Sequence, residues 1–226
     1  MTEVPQITVP ELTLPPVSTK EELFAYAWRT TLREQFVRNR IPDRYMVQIK
    51  DWPEPRQLAV LERCERMLGG NGTILALTGN RGVGKTAICC QLIIRIVLAW
   101  SECCNLLPFP WLPYRKLSDI LARYKPLYAE FGSIGMDELE SARNVLCKAP
   151  LLVIDEVGDF DDSKLRHRLL QDILDRRYSN LVDTLLISNQ SPKAFRASVG
   201  ESVMSRINEH GGIIECTWDS FRDKNL

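Results

Sequence analysis

Gly79-Asn80-Arg81-Gly82-Val83-Gly84-Lys85-Thr86 fits the spacing G-x-x-x-x-G-K-[ST] in full. Glycines let such a loop wrap closely enough for successive backbone N–H groups to face phosphate oxygens, and the positive end of a following helix adds to the field. In this pattern Lys85 reaches the β- and γ-phosphates of a nucleotide, and the Thr86 hydroxyl holds Mg²⁺. An isolated octet of this kind is an ordinary glycine-rich turn. Here it stands between an apolar run, Thr73 to Thr78, and a helical stretch, Thr86 to Trp100, which is the context the chemistry demands.

Two further sites share that logic. Leu151-Leu152-Val153-Ile154 is an apolar run that ends in Asp155-Glu156. In a parallel sheet its C-terminal end lies at the same edge as the phosphate loop, so Asp155 is placed to hold Mg²⁺ through water and Glu156 to accept a proton from an attacking water. Leu185-Leu186-Ile187-Ser188 ends in Asn189, an amide that can orient the water or contact a γ-phosphate without adding negative charge. Alone, Asn189 before Gln190-Ser191-Pro192 reads as a turn; its order after a phosphate loop and an acidic strand favours the site.

These residues need a scaffold of buried strands carried between helices. Arg56 to Leu68 reads as a helix closed by Gly69 and Gly70, Ser118 begins another that runs toward Phe131, and Ser163 to Tyr178 is amphipathic. With a late strand over Gly212 to Thr217, the repeated strand and helix units predict an α/β fold with a parallel sheet flanked by helices. An extended, proline-punctuated arm, 1–17, precedes it. Ser18 and Glu21 form a capping box, and Phe24, Trp28, Leu32 and Phe36 recur every fourth residue, which predicts a helix over Thr19 to Arg38 inside an N-terminal helix and linker, 18–50. Residues 51–226 form the expected catalytic domain. The segment from Trp28 to Arg44 carries five arginines against two acids, suited to a solvated face or to docking.

Composition limits the partners. The 226 residues carry 29 basic and 29 acidic side chains, so any contact with nucleic acid must be local rather than a basic coat. Seven cysteines, an odd number with two adjacent pairs and no C-x-x-C, argue against a zinc site or a secreted disulfide framework. No signal peptide or membrane span is read, and the expected compartment is cytoplasmic.

Several blocks together resemble the AAA+ ATPases of the DnaC-type helicase loaders and the similar IstB-type transposition ATPases, from about Ile41 to the C-terminus. They are Ile41-Pro42-Asp43-Arg44-Tyr45, Lys116-Leu117-Ser118-Asp119-Ile120-Leu121, Leu152 to Gly158, Asp175-Arg176-Arg177-Tyr178, Ser188-Asn189, Gly200-Glu201-Ser202-Val203-Met204-Ser205-Arg206 and Trp218-Asp219-Ser220-Phe221-Arg222. The resemblance implies a P-loop AAA+ core that binds ATP and Mg²⁺ and self-associates into an ATP-bridged oligomer. It implies Arg206 as a finger on a neighbouring subunit's nucleotide and Arg222 as a γ-phosphate sensor. It also implies single-stranded DNA in a central channel, near Lys125 and Tyr128 on one helix and Ser163 and Lys164 at the start of another, and a replicative helicase as partner, met through the N-terminal arm. A transposition regulator acting on duplex DNA, a small-molecule P-loop kinase and a module that uses ATP as a conformational latch are the alternatives. Asp155-Glu156 with Asn189 suits water activation better than kinase chemistry.

Overall fold

The computed structural model describes residues 39–42, 44–45, 55–103, 112–129, 140, 144–158 and 164–221. The arm 1–17 and the helix expected over Thr19 to Arg38 lie outside the described residues, as do Ser163 and Arg222. Along the core, helices α1 (Pro55–Met67), α2 (Lys85–Cys103), α3 (Leu117–Ala129), α4 (Lys164–Ser179), α5 (Pro192–Val199) and α6 (Glu201–Glu209) alternate with or follow five strands. These are β1 (Ile74–Gly79), β2 (Tyr114–Lys116), β3 (Leu151–Asp155), β4 (Asp183–Ile187) and β5 (Gly211–Cys216).

The strands form one sheet in the order β2-β3-β4-β1-β5, with every neighbouring pair parallel. All residues of β1, β3 and β4 are buried, as a strand covered on both faces requires. Side chains alternate between two cores. Leu75 and Leu77 of β1 join Val153, Leu185 and Ile187 against Leu61 and Cys64 of α1 and Ile88 and Leu92 of α2. Ile74 and Ala76 join Leu152, Ile154 and Leu186 against α3, α4, α5 and α6 through Leu117, Leu169, Phe195 and Ile207. The result is a sheet sandwiched by helices, as the sequence predicts.

Two buried polar residues tie the sheet to its helices. Asp183 at the start of β4 accepts from the backbone N–H of Gly70 at 2.8 Å and of Thr73 at 2.9 Å, fixing the connection from α1 to β1. Arg177 of α4 is fully buried; its guanidinium donates to the carbonyl oxygens of Leu146 at 2.5 Å and Ala149 at 2.9 Å, to Thr184 Oγ1 at 2.8 Å, and to the Asp183 carbonyl.

The expected elements recur with ends shifted by up to three residues, α2 running to Cys103 rather than Trp100. The sequence reading places no helix between Asn189 and Gly212, where the structure has α5 and α6. Their local reasons are plain afterwards: Ser191 caps α5 by accepting from Ala194 N at 3.3 Å, Pro192 occupies the first turn, and Gly200, at φ 83°, separates the two helices. At eight and nine residues they offer too few turns for a periodic signal.

Candidate nucleotide site

The C-terminal ends of β1, β3 and β4 meet at one edge of the sheet and deliver the phosphate loop, Asp155-Glu156 and Ser188-Asn189 together. Gly79 ends β1 with φ 127°, and a Cβ there would stand 2.3 Å from the Cys216 carbonyl oxygen, so the close pairing of β1 with β5 needs glycine. The loop then turns through Gly82 and Gly84, both at φ 86°, into α2. Lys85 is only 4% exposed, and its ammonium donates to the carbonyls of Gly79 at 2.8 Å and Asn80 at 2.7 Å. A phosphate would offer that ammonium charged oxygens in place of neutral ones.

Thr86 donates its hydroxyl to Asp155 Oδ2 at 2.9 Å, so the residues expected to share a metal ion are in contact between the first turn of α2 and the end of β3. The pair supplies hard oxygen donors beside a phosphate loop, a set that fits Mg²⁺. Asp155 is 6% exposed and is oriented from two more sides. Its Oδ1 accepts from the Glu156 N–H at 2.7 Å, and its Oδ2 from the Tyr114 hydroxyl at 2.5 Å. Burial, and then the neighbouring carboxylate, push the Tyr114 phenol far above its ordinary pKa, so it stays a donor.

Glu156 lies just past β3 at φ 62°, a left-handed conformation that costs a non-glycine residue energy and is retained where surroundings over-determine it. Its Oε1 receives the Lys116 ammonium at 2.7 Å, and this hydrogen bond raises the pKa of Lys116. Tyr114 and Lys116 therefore reach the two acids from the same short strand, β2, opposite Val153 and Asp155 in register. Sequence reasoning gave neither residue a role. The alternation of Tyr, Arg and Lys in a three-residue edge strand is no recognisable signal; only the pairing register exposes it.

The loop is also held from the chain's far end. Trp218 Nε1 donates to the Val83 carbonyl at 2.8 Å, and Phe221 N to the Gly82 carbonyl at 3.0 Å. The block ending in Trp218 to Phe221 thus packs on the phosphate loop; Arg222, the next residue, lies outside the described residues. Asn189 is half-buried, directly after Ser188, whose N–H donates to the Leu77 carbonyl at 2.9 Å beside the loop. Arg206 is placed differently. Its Nε is 3.1 Å from Asp175 Oδ1 on α4, its terminal nitrogen donates to the Ser202 carbonyl and hydroxyl at 2.8 Å, and its guanidinium lies 5.9 Å from the Tyr178 ring centroid. Those contacts belong to α4 and α6, not to the phosphate loop. Lys164 is an exposed first residue of α4, and Lys125 and Tyr128 lie on α3 with side chains outside the described set.

Among the described residues no helix is long and apolar enough to cross a membrane, and Cys64, Cys89, Cys90, Cys147 and Cys216 are buried free thiols.

The Tyr114 contact gives a first expectation. Tyr114→Phe removes one of the donors that fix Asp155 while keeping the ring packed, so the Mg²⁺ concentration for half-maximal protection of the nucleotide-bound fold in thermal melts rises about three- to tenfold. An unshifted Mg²⁺ midpoint would mean that Thr86 and the backbone alone orient the carboxylate.

No family model matches the chain. The replicative helicase loader DnaC of Escherichia coli K12 is 28% identical over 162 residues, covering 69% of this chain and 58% of the relative, so the chain spans less than two thirds of that protein's length. The crystal structure of the DnaC helicase loader superposes with a TM-score of 0.52 at 24% identity, covering 71% of this chain and 88% of that one. The replication initiator DnaA bound to AMPPCP and single-stranded DNA gives 0.57 at 18% identity, covering 79% of this chain and 51% of that one. Fold and sequence motif together give a P-loop α/β domain with a five-stranded parallel sheet. Within that class, the alignment bears out the resemblance to the DnaC-type helicase loaders that the sequence blocks carry.

Proposed function

We propose that this chain binds and hydrolyses Mg-ATP in assembled form and uses the cycle to load or remodel a replicative helicase on single-stranded DNA. The observation that carries the reading is the contact of Thr86 with Asp155, beside Lys85 and Glu156, at one sheet edge of a chain similar to a helicase loader. Mg²⁺ held near Thr86 and Asp155 would neutralise phosphate charge. The loop from Gly79 through Asn80, Arg81, Gly82, Val83 and Gly84 wraps the phosphates with the backbone N–H groups that follow Gly79, and Lys85 compensates their charge. Glu156 accepts the proton of the attacking water and Asn189 orients it. Arg206, parked on its own α4 in the isolated chain, reaches the neighbour's nucleotide on assembly, and Arg222 senses the γ-phosphate. The helicase contact of the N-terminal arm, the DNA contacts of Lys125, Tyr128, Ser163 and Lys164, and a cytoplasmic setting belong to the same proposal. The buried free thiols support the last.

A finger acting in trans makes hydrolysis depend on subunit contact, so specific activity rises with protein concentration. Arg206→Ala lowers turnover with ATP affinity per protomer largely unchanged. Mixed with Glu156→Gln, it regains partial activity, because each variant supplies what the other lacks at some interfaces. Concentration-independent turnover with no recovery on mixing would remove the trans mechanism.

A further inference from the structure

Gln190, the residue after Asn189, joins three parts of the site by hydrogen bonds. Its main-chain oxygen accepts from the N–H of Gly79, the first residue of the phosphate loop, at 3.0 Å. Its side-chain Nε2 donates to the Gly158 carbonyl at 2.9 Å, and its Oε1 accepts from the Ser198 hydroxyl on α5 at 2.9 Å. The Gly158 carbonyl can only accept, which fixes the amide with its nitrogen toward the turn that carries Glu156.

The approach is built into the chain. Gly158 has φ 98°, and a Cβ on it would stand 2.4 Å from Gln190 Oε1. The same turn is stitched to β4 by the Val157 N–H, which donates to the Ile187 carbonyl at 2.9 Å. Glu156, at φ 62°, thus sits in a strained conformation at the head of a turn whose tail is gripped by Gln190. One residue thereby refers the water-activating turn, the phosphate loop and the Asn189 backbone to a common frame.

We propose that Gln190 is a positioning residue, whose side-chain amide holds the Glu156–Gly158 turn in place relative to the phosphate loop and Asn189. The inference rests on the ATPase reading. A carboxylate that drifts by about 1 Å from its water loses on the order of a hundredfold in rate, whereas nucleotide binding depends on residues Gln190 does not touch through its side chain.

Three variants separate this role from general support of the fold. Gln190→Glu keeps size and the acceptor for Ser198 but loses the donor toward Gly158; Gln190→Ala loses both; Ser198→Ala leaves the Gly158 bond intact. For Gln190→Ala and Gln190→Glu, kcat for ATP falls about tenfold or more while the nucleotide dissociation constant, from titration with a fluorescent ATP analogue, stays within about threefold of wild type. Ser198→Ala loses at most about threefold in kcat. Amide hydrogen exchange at Val157 and Gly158 accelerates about tenfold in Gln190→Ala, with exchange in β1 unchanged. Unchanged kcat in both Gln190 variants would overturn the proposal, as would affinity and melting temperature falling in step with kcat. The exchange measurement does not require hydrolysis. A wild type that turned over no ATP would sink the ATPase reading, and unchanged exchange at Val157 and Gly158 would sink the positioning role on its own.

Discussion

Lys85→Ala raises the ATP dissociation constant by at least about a hundredfold, whereas Glu156→Gln binds ATP normally and loses hydrolysis by about 10²- to 10⁴-fold. The two effects separate because the side chains do different work. Lys85 is almost wholly buried within the loop and already donates to two loop carbonyls, at 2.8 and 2.7 Å, so its charge is held where phosphate oxygens would lie. Each charge-assisted hydrogen bond contributes about 1.5–3 kcal/mol, and removing the ammonium forfeits two. Glu156 lies outside the loop, one residue past β3, and its carboxylate offers the phosphates no donor. On the proposed mechanism its carboxylate enters when a proton must leave water. Fluorescence titration reads the first effect and phosphate release under saturating ATP the second. Equal affinity of Lys85→Ala and the wild type would refute the phosphate-loop assignment.

Arg177→Met destabilises the fold by about 3–5 kcal/mol, enough to lower the melting temperature by about 10 °C. The side chain is fully buried, and burial depresses its pKa to about 9. Its guanidinium still satisfies the carbonyls of Leu146, Ala149 and Asp183 and the Thr184 hydroxyl. Methionine fills the volume but withdraws the donors from four interior acceptors, out of reach of replacement from its own side chain. Arg177→Lys keeps the charge but not the planar fork, and recovers less than half of the loss. Urea unfolding monitored by Trp fluorescence gives both numbers, and a Met variant as stable as the wild type would show that water reaches these carbonyls.

What sequence reveals and what it conceals divides here along physical lines. The phosphate loop and Asp155-Glu156 were readable because each is a contiguous motif on a buried strand, whose nearly continuous apolar run is itself a signal. Asn189 was readable only by its order after them. Tyr114, Lys116 and Gln190 were not, since each acts through a contact 30 or more residues away along the chain, at Asp155, Glu156 and Gly158 respectively. Their placement depends on which strand neighbours which, and strand order is not written in local periodicity. The left-handed backbone of Glu156 was equally hidden, because a glutamate gives no compositional hint of positive φ. Arg177 carried a charge in a helix that otherwise reads as amphipathic, which suggests a surface residue, whereas the structure makes it the interior's polar hub.

The register of β2 also sets where the chain tolerates changes in length. Tyr114 and Lys116 point to the acids because they lie two residues apart on a strand, while Arg115 between them donates instead to the Asn39 and Tyr114 carbonyls. Adding or deleting one residue between Leu112 and Leu117 would exchange those faces, bringing a guanidinium to Asp155 and carrying the phenol and the ammonium away. The number of positions from Leu112 to Lys116, five, is therefore as much a part of the site as the residue types that fill them.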